Sequence, residues 1–111
     1  MTTNQKQFAF SVMLARLILF AHECGILLSL REVWRSKDRQ RQLVAYGSSR
    51  TLDSKHLLAL AGDVVMVRDG KVVEFDDPDW TLLGEYWEGL GGEWGGRWKT
   101  PHDLGHFQYK D

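Results

Sequence analysis

The chain has 111 residues, 43% hydrophobic and 26% charged, a composition that fits one folded domain over residues 1–111 and excludes a disordered or collagen-like polymer. Fourteen basic against fifteen acidic side chains leave a net charge of -1, so no global positive field draws in nucleic acid and no nucleic-acid partner is expected. Cys24 is the only cysteine, which excludes an intramolecular disulfide and suits folding in a reducing cytoplasm.

Phe8 to Ala21 is strongly apolar, but Arg16 interrupts it and His22 and Glu23 close it well short of the ~20 apolar residues of a spanning helix. A secretory signal would need a basic start and a small-residue cleavage site. Neither is evident, so neither a membrane partner nor an export signal is expected. Helical spacing instead places Ser11, Ala15, Arg16, Leu19, His22 and Glu23 along one stripe. Phe8, Phe10, Val12, Leu14, Leu17, Ile18 and Phe20 are left for the core, and Gly25 ends the helix.

Ile26 to Trp34 reads as a strand by its rough alternation. Ser36 is placed to cap a short helix running through Gln40, Leu43 and Tyr46 to Gly47, with Asp38 in its first turn. Ser48 to Lys55 reads as polar loop. Gly62 to Val67 and Lys71 to Phe75 flank Asp69-Gly70, the pair that a tight hairpin turn requires. Asp77 and Pro78 open a further helix carrying Trp80, Leu83, Tyr86 and Trp87. Seven of eleven glycines lie between Gly84 and Gly105 and four of five tryptophans between Trp80 and Trp98, which predicts a shaped loop with aromatic walls.

Charge is uneven along the chain. Arg31 to Lys55 holds seven basic and three acidic residues, net +4, whereas Asp63 to Glu93 holds two basic and nine acidic, net -7. Such runs are ordinarily solvated faces; the alternative is a cleft with one basic wall, suited to a substrate bearing carboxylates.

Three places carry chemistry. In the first, His56 precedes Asp63 by seven residues at the start of the hairpin's first strand, and imidazole nitrogen and carboxylate oxygen are both zinc ligands. In the second, Asp103 stands three residues before His106, within reach of one centre if the chain turns at Gly105. Phe107 and Tyr109 alternate with polar residues there, so His106 reads as part of a terminal strand. In the third, Arg35 ends a strand just before a helix. Each alone reads more simply as a core histidine, a strand histidine or a surface ion pair. Together, two histidines and one aspartate leave a fourth tetrahedral position for water. With Asp103 as nearby carboxylate and Arg35 as fixed cation, the parts of metal-assisted amide hydrolysis are all present.

These residues resemble a family: the zinc D,D-carboxypeptidases and dipeptidases that share a fold with hedgehog signalling domains, and more closely the small phage-type L-alanyl-D-glutamate endopeptidases that degrade peptidoglycan. The family's first motif, S-x-H-x-x-G-x-A-x-D, is matched by Ser54, His56, Ala61 and Asp63, with Ala59 in the glycine's place. Its second, a carboxylate, two intervening residues and a histidine, is matched by Asp103 and His106. The run Gly91 to Trp98 and Trp34-Arg35-Ser36 followed by Gln40 also resemble that group. The similarity extends from about Arg31 to Tyr109.

The resemblance implies an α+β fold, a single small domain with helices packed on an antiparallel sheet. It implies zinc held by His56, Asp63 and His106, with Asp103 as general base, Arg35 stabilising the oxyanion and Ser54 hydrogen-bonding substrate. The methyl of Ala59 is tolerated where φ is negative and strained where it is positive. The implied activity is hydrolysis of peptidoglycan stem peptides between L-Ala and D-Glu, by a monomer made in a host cytoplasm and acting on the wall after release. A D-Ala-D-Ala carboxypeptidase or dipeptidase is the alternative within the class. A non-catalytic wall-binding domain using Trp80, Trp87, Trp94 and Trp98 as a stacking surface is the alternative outside it.

Overall fold

The computed structural model describes residues 1–49, 51–73, 77–99 and 102–111. Helix α1 spans Thr3–Glu23 and opens with a capping box, in which the Thr2 hydroxyl accepts from the Gln5 N–H and the Gln5 side chain accepts from the Thr2 N–H. It ends where Gly25 takes φ 77° and the Ile26 N–H turns back to the Ala21 carbonyl at 2.8 Å. The buried positions are Phe10, Leu14, Leu17 and Ala21, spaced by four, three and four residues so that they form one stripe. Phe8 and Val12, expected in the core, are 72% and 38% exposed. Each lies two residues from Phe10, and at 100° per residue that turns both away from the buried face.

Strand β1 covers Leu27–Leu30, shorter than the predicted Ile26 to Trp34. The missing residues spend their backbone groups elsewhere. Arg31 and Glu32 exchange hydrogen bonds with Asp63, the Val33 carbonyl accepts from the His56 ring, and the Arg35 N–H donates to the His56 carbonyl. Helix α2, Lys37–Ala45, starts on Ser36, whose hydroxyl accepts from the Arg39 N–H at 3.0 Å. The loop that follows leads into a 3-10 turn, Lys55–Leu58, capped by Ser54.

Strands β2 (Ala61–Arg68) and β3 (Lys71–Val72) form the expected hairpin. Asp69 and Gly70 sit at φ 53° and 76°, the double positive φ that a two-residue turn of this hand needs. The end predicted for its second strand at Phe75 lies outside the described residues. Helix α3, Asp79–Gly89, begins where the Asp77 carboxylate accepts from the Asp79 N–H at 2.9 Å. Two short strands follow, β4 (Glu93–Trp94) and β5 (His106–Gln108), and the antiparallel sheet runs β1-β2-β5-β4 with β3 also paired to β2.

Among the described residues the glycine- and tryptophan-rich stretch is partly regular, taking in the end of α3 and strand β4, and most of its tryptophan surface is turned inward. Trp80, Trp87 and Trp94 are 1%, 0% and 3% exposed, and only Trp98 keeps a partly open face. The indole N–H of Trp87 donates to the Gln108 carbonyl at 3.0 Å, and that of Trp94 to the Leu104 carbonyl at 2.8 Å. Large rings enter a core readily when their one polar atom is satisfied. Gly84 gives Trp94 its seat, since a Cβ there would meet the Trp94 ring at 2.1 Å. The core joins Phe10, Leu14 and Leu17 of α1 to Leu83 and Trp87 of α3 and to Val64, Met66 and Phe107 of the sheet.

Ala59, which ends the 3-10 turn, sits at φ 54°, where an L side chain is strained by roughly 1–2 kcal/mol. Ala59→Gly should raise stability by about 0.5–1 kcal/mol, the relief exceeding glycine's extra unfolded-state entropy. Urea unfolding of the metal-free protein checks this, and an unchanged or lower midpoint would show that the turn carries no such strain.

Candidate metal centre

Sheet register brings the first two donors together. Asp63 on β2 lies directly opposite His106 on β5, so their side chains emerge on the same face as cross-strand neighbours. Gly105 permits this approach, because a Cβ there would come within 2.4 Å of the Val64 carbonyl oxygen. His56 arrives from the 3-10 turn, oriented by three contacts. Its N–H donates to the Ser54 hydroxyl at 3.2 Å, its carbonyl accepts from the Arg35 N–H at 3.0 Å, and its Nδ1 lies 2.7 Å from the Val33 carbonyl. A ring nitrogen facing a carbonyl carries the proton, which leaves the Nε2 lone pair free.

The three donors converge. His56 Nε2 lies 3.1 Å from Asp63 Oδ2, and His106 Nδ1 lies 3.0 Å from Asp63 Oδ1. One ligand atom from each residue fits within a mutual distance of 4.8 Å. His56 is 2% exposed, and among the described residues its Nε2 has no hydrogen-bond partner. An unsatisfied buried polar atom costs about 1–3 kcal/mol, and a cation between the rings and the carboxylate would satisfy it. Two imidazoles and a carboxylate suit zinc by their donor chemistry.

The electrostatics agree with the packing. Burial opposes the charge on Asp63, but its contacts with His106 and His56 prevail and hold the carboxyl well below the usual range. Burial also disfavours a charged His106, yet Asp63 and Gln108 on its two nitrogens raise its pKa. Asp103 moves the other way: burial pushes its pKa up, with Asp63 adding to the effect and His106 opposing it.

The trio opens on a cleft of about 500 Å³, whose lining includes Arg35, Ser54, Lys55, Trp98, Asp103 and Gln108. Every residue singled out from the sequence for chemistry reaches this cleft. Arg35 is held on three sides, with Nε on Glu32, Nη1 donating to Gln40 Oε1 at 2.8 Å and Nη2 3.6 Å from Asp63 Oδ2. Ser54 has a second task besides facing the cleft, since its hydroxyl caps the turn that carries His56. Asp103 is fixed by its backbone, its N–H donating to Gly95 and its carbonyl accepting from His106. His102 is exposed. The basic run contributes Arg35 and Lys55, but Asp53, Asp63 and Asp103 share the lining, so the wall is mixed.

The sequence singled out Gln40 and Trp98 only as part of the resemblance and gave no sign that they, or Gln108, brace these groups. Gln40 is 1% exposed, and its amide donates to the Ser49 hydroxyl and the Thr51 carbonyl while its oxygen accepts from Arg35. Trp98 tilts over His106 with ring centroids 4.9 Å apart, and Gln108 Oε1 lies 2.8 Å from His106 Nε2. The only sequence signal for Gln108 is its place two residues after His106 on a strand, which puts both on one face.

A family profile described as D-alanyl-D-alanine carboxypeptidase, one of the M15 peptidases, matches residues 47–109. The chain belongs to this family, and the matched span contains His56, Asp63, Asp103 and His106. It is 33% identical over 98 residues to the L-alanyl-D-glutamate peptidase of Listeria phage A118; the alignment covers 85% of this chain and 34% of that protein, about a third of the relative's length. The crystal structure of the Serratia marcescens L-Ala D-Glu endopeptidase ChiX superposes with a TM-score of 0.71 at 38% identity, over 87% of this chain and 77% of that one. The vancomycin-resistance D,D-pentapeptidase VanY, solved in complex with Zn(II), shares the fold with a TM-score of 0.63 at 15% identity, over 90% of this chain and 70% of that one. The α+β class expected from the sequence is the one these structures share.

Lys55 at the cleft rim is paired with Asp111, which also receives Lys6, at 2.9 and 2.7 Å. These two hydrogen bonds lower the Asp111 pKa to about 2. The stability this pairing contributes should be complete above the ordinary aspartate pKa and fade as pH falls through the folded value. NMR titration of the Asp111 carboxyl should give a midpoint near 2, moving toward the ordinary value in Lys6→Ala. A normal midpoint in the unsubstituted protein would show that the bridge does not hold in solution.

Proposed function

We propose that this chain is a zinc peptidase that hydrolyses peptidoglycan stem peptides between L-Ala and D-Glu. The observation that carries the reading is the convergence of His56 Nε2, Asp63 and His106 Nδ1 on one point of a cleft that also holds Asp103 and Arg35. The likeness to ChiX, over most of both chains, supports the choice of bond.

In this reading His56, Asp63 and His106 hold the metal. Zinc, when bound, supplies Lewis acidity at the scissile carbonyl and makes water nucleophilic near neutral pH. Asp103 takes the proton from the attacking water and returns it to the leaving amine, which a carboxylate can do if it reaches both. Arg35 directs its guanidinium at the charge that develops on the carbonyl oxygen. Its tethers to Glu32 and Gln40 spare it reorganisation during the reaction. The Ser54 hydroxyl, already accepting from His56, keeps its proton free to donate to substrate. The phage relative supports a role in lysis, with the wall as site of action. Among the described residues no helix is long and apolar enough to cross a membrane.

The purified protein should bind about one zinc per chain and lose wall hydrolysis when a chelator removes it. Undiminished hydrolysis by metal-free protein would refute the mechanism. Mass spectrometry of digested peptidoglycan should show new amino-terminal D-Glu on the stem peptides. Free D-Ala without that amine would move the assignment to a D-Ala-D-Ala carboxypeptidase.

Variants separate the roles. His106→Ala should lose zinc affinity and activity together. Asp103→Ala should retain zinc while turnover falls roughly 10²–10⁴-fold, and the exposed His102→Ala should remain active. An active Asp103→Ala beside a dead, zinc-loaded His102→Ala would mean that the base is misassigned.

A further inference from the structure

We propose that Gln108 is a positioning residue for the metal centre: its side-chain oxygen accepts the Nε2 proton of His106 and so makes Nδ1 the nitrogen that faces the metal. The inference rests on His106 being a ligand, and it concerns which of its two nitrogens serves and what enforces that choice.

A neutral imidazole carries one proton, and the nitrogen that bears it cannot donate a lone pair to a metal. The two nitrogens of His106 have different surroundings. Nδ1 lies 3.0 Å from Asp63 Oδ1, inside the donor trio, and Nε2 lies 2.8 Å from Gln108 Oε1, outside it. With Nδ1 turned to the metal, the remaining proton sits on Nε2, and the amide oxygen is the atom of Gln108 able to accept it.

The fold makes the pair rigid. His106 is 6% exposed, so water cannot readily replace a lost acceptor. The Gln108 backbone is held on both sides, paired with Ala61 on β2 and Glu93 on β4, and its carbonyl accepts the Trp87 indole N–H at 3.0 Å. Trp98 covers the face of the His106 ring, its own indole N–H held by Glu93 at 3.1 Å. The other histidine follows the same rule with a different acceptor, its Nδ1 on the Val33 carbonyl and its Nε2 toward the trio. A backbone carbonyl survives any substitution. A glutamine side chain does not, so this restraint can be removed and restored.

Acceptors behind metal-bound histidines are worth about 10–100-fold in metal affinity when deleted. Gln108→Leu should weaken zinc binding in that range, measured by competition with a chromophoric chelator. Gln108→Glu, which keeps an oxygen acceptor at the same reach, should restore it. In the zinc-loaded unsubstituted protein, NMR should detect the His106 Nε2 proton protected from solvent exchange, and Gln108→Leu should abolish that protection.

Zinc affinity in Gln108→Leu within twofold of the unsubstituted protein would overturn the proposal. So would a Gln108→Glu variant as weak as Gln108→Leu, which would point to packing rather than acceptance. If Gln108→Leu does not fold, Gln108→Met supplies similar length without an acceptor, and absence of a protected Nε2 proton in the unsubstituted protein refutes the proposal without any variant. His106→Ala tells the two levels apart: unchanged zinc affinity there would refute the ligand assignment itself, whereas loss there with an unaffected Gln108→Leu would refute only the role of Gln108.

Discussion

The pairing of Asp63 with His106 across β2 and β5 is the constraint on which the site depends. Strand β2 lies between β1 and β5 and is bonded on both sides here, the Asp63 backbone to Arg31 and Glu32 beyond the end of β1 and the Val64 N–H to the Gly105 carbonyl ahead of β5. Asp63 therefore has His106 beside it on one flank and, on the other, the segment Glu32 to Arg35, whose Val33 and Arg35 hold His56. A half-buried carboxylate between two imidazoles is costly if unpaired. Its two oxygens lie against His56 and His106, contacts that favour the ionised form and suit the proposed metal.

Strand alternation divides labour along β5. Phe107, 0% exposed, points into the core against Trp87, with ring centroids 5.7 Å apart, while His106 and Gln108 face the cleft. The tryptophans act on the site from behind. Two of them direct their indole N–H groups to carbonyls of the chain around His106, at Leu104 and Gln108, so core packing and site geometry share the same hydrogen bonds.

Among the described residues, the two cations that line the cleft are paired within the chain. Arg35 is tied to Glu32 and Gln40, and Lys55 to Asp111. For Arg35 this gives a fixed direction in a partly desolvated place, where a guanidinium acts more strongly than in water. Lys55 is bridged in a more open setting, so its pairing is weaker and more sensitive to salt.

The sequence by itself determined the local signals: Ser36 as a helix cap, Asp69-Gly70 as a hairpin turn, and the spacings of Ser54, His56 and Asp63 and of Asp103 and His106. Each depends on backbone chemistry or on residues within a few positions, and so can be read in one dimension. Tertiary structure decided which apolar residues became core. Phe8 and Val12 fall off the stripe that the sheet covers, whereas tryptophans that composition would allow on a surface are buried because Gly84 leaves space for Trp94 and backbone carbonyls await the indoles. It also decided the bracing of the site: Val33 behind His56, Gln40 behind Arg35, Gln108 behind His106. Hydrogen bonds between distant residues leave no period or spacing in a sequence, because what selects them is the single geometry in which buried donors all find acceptors.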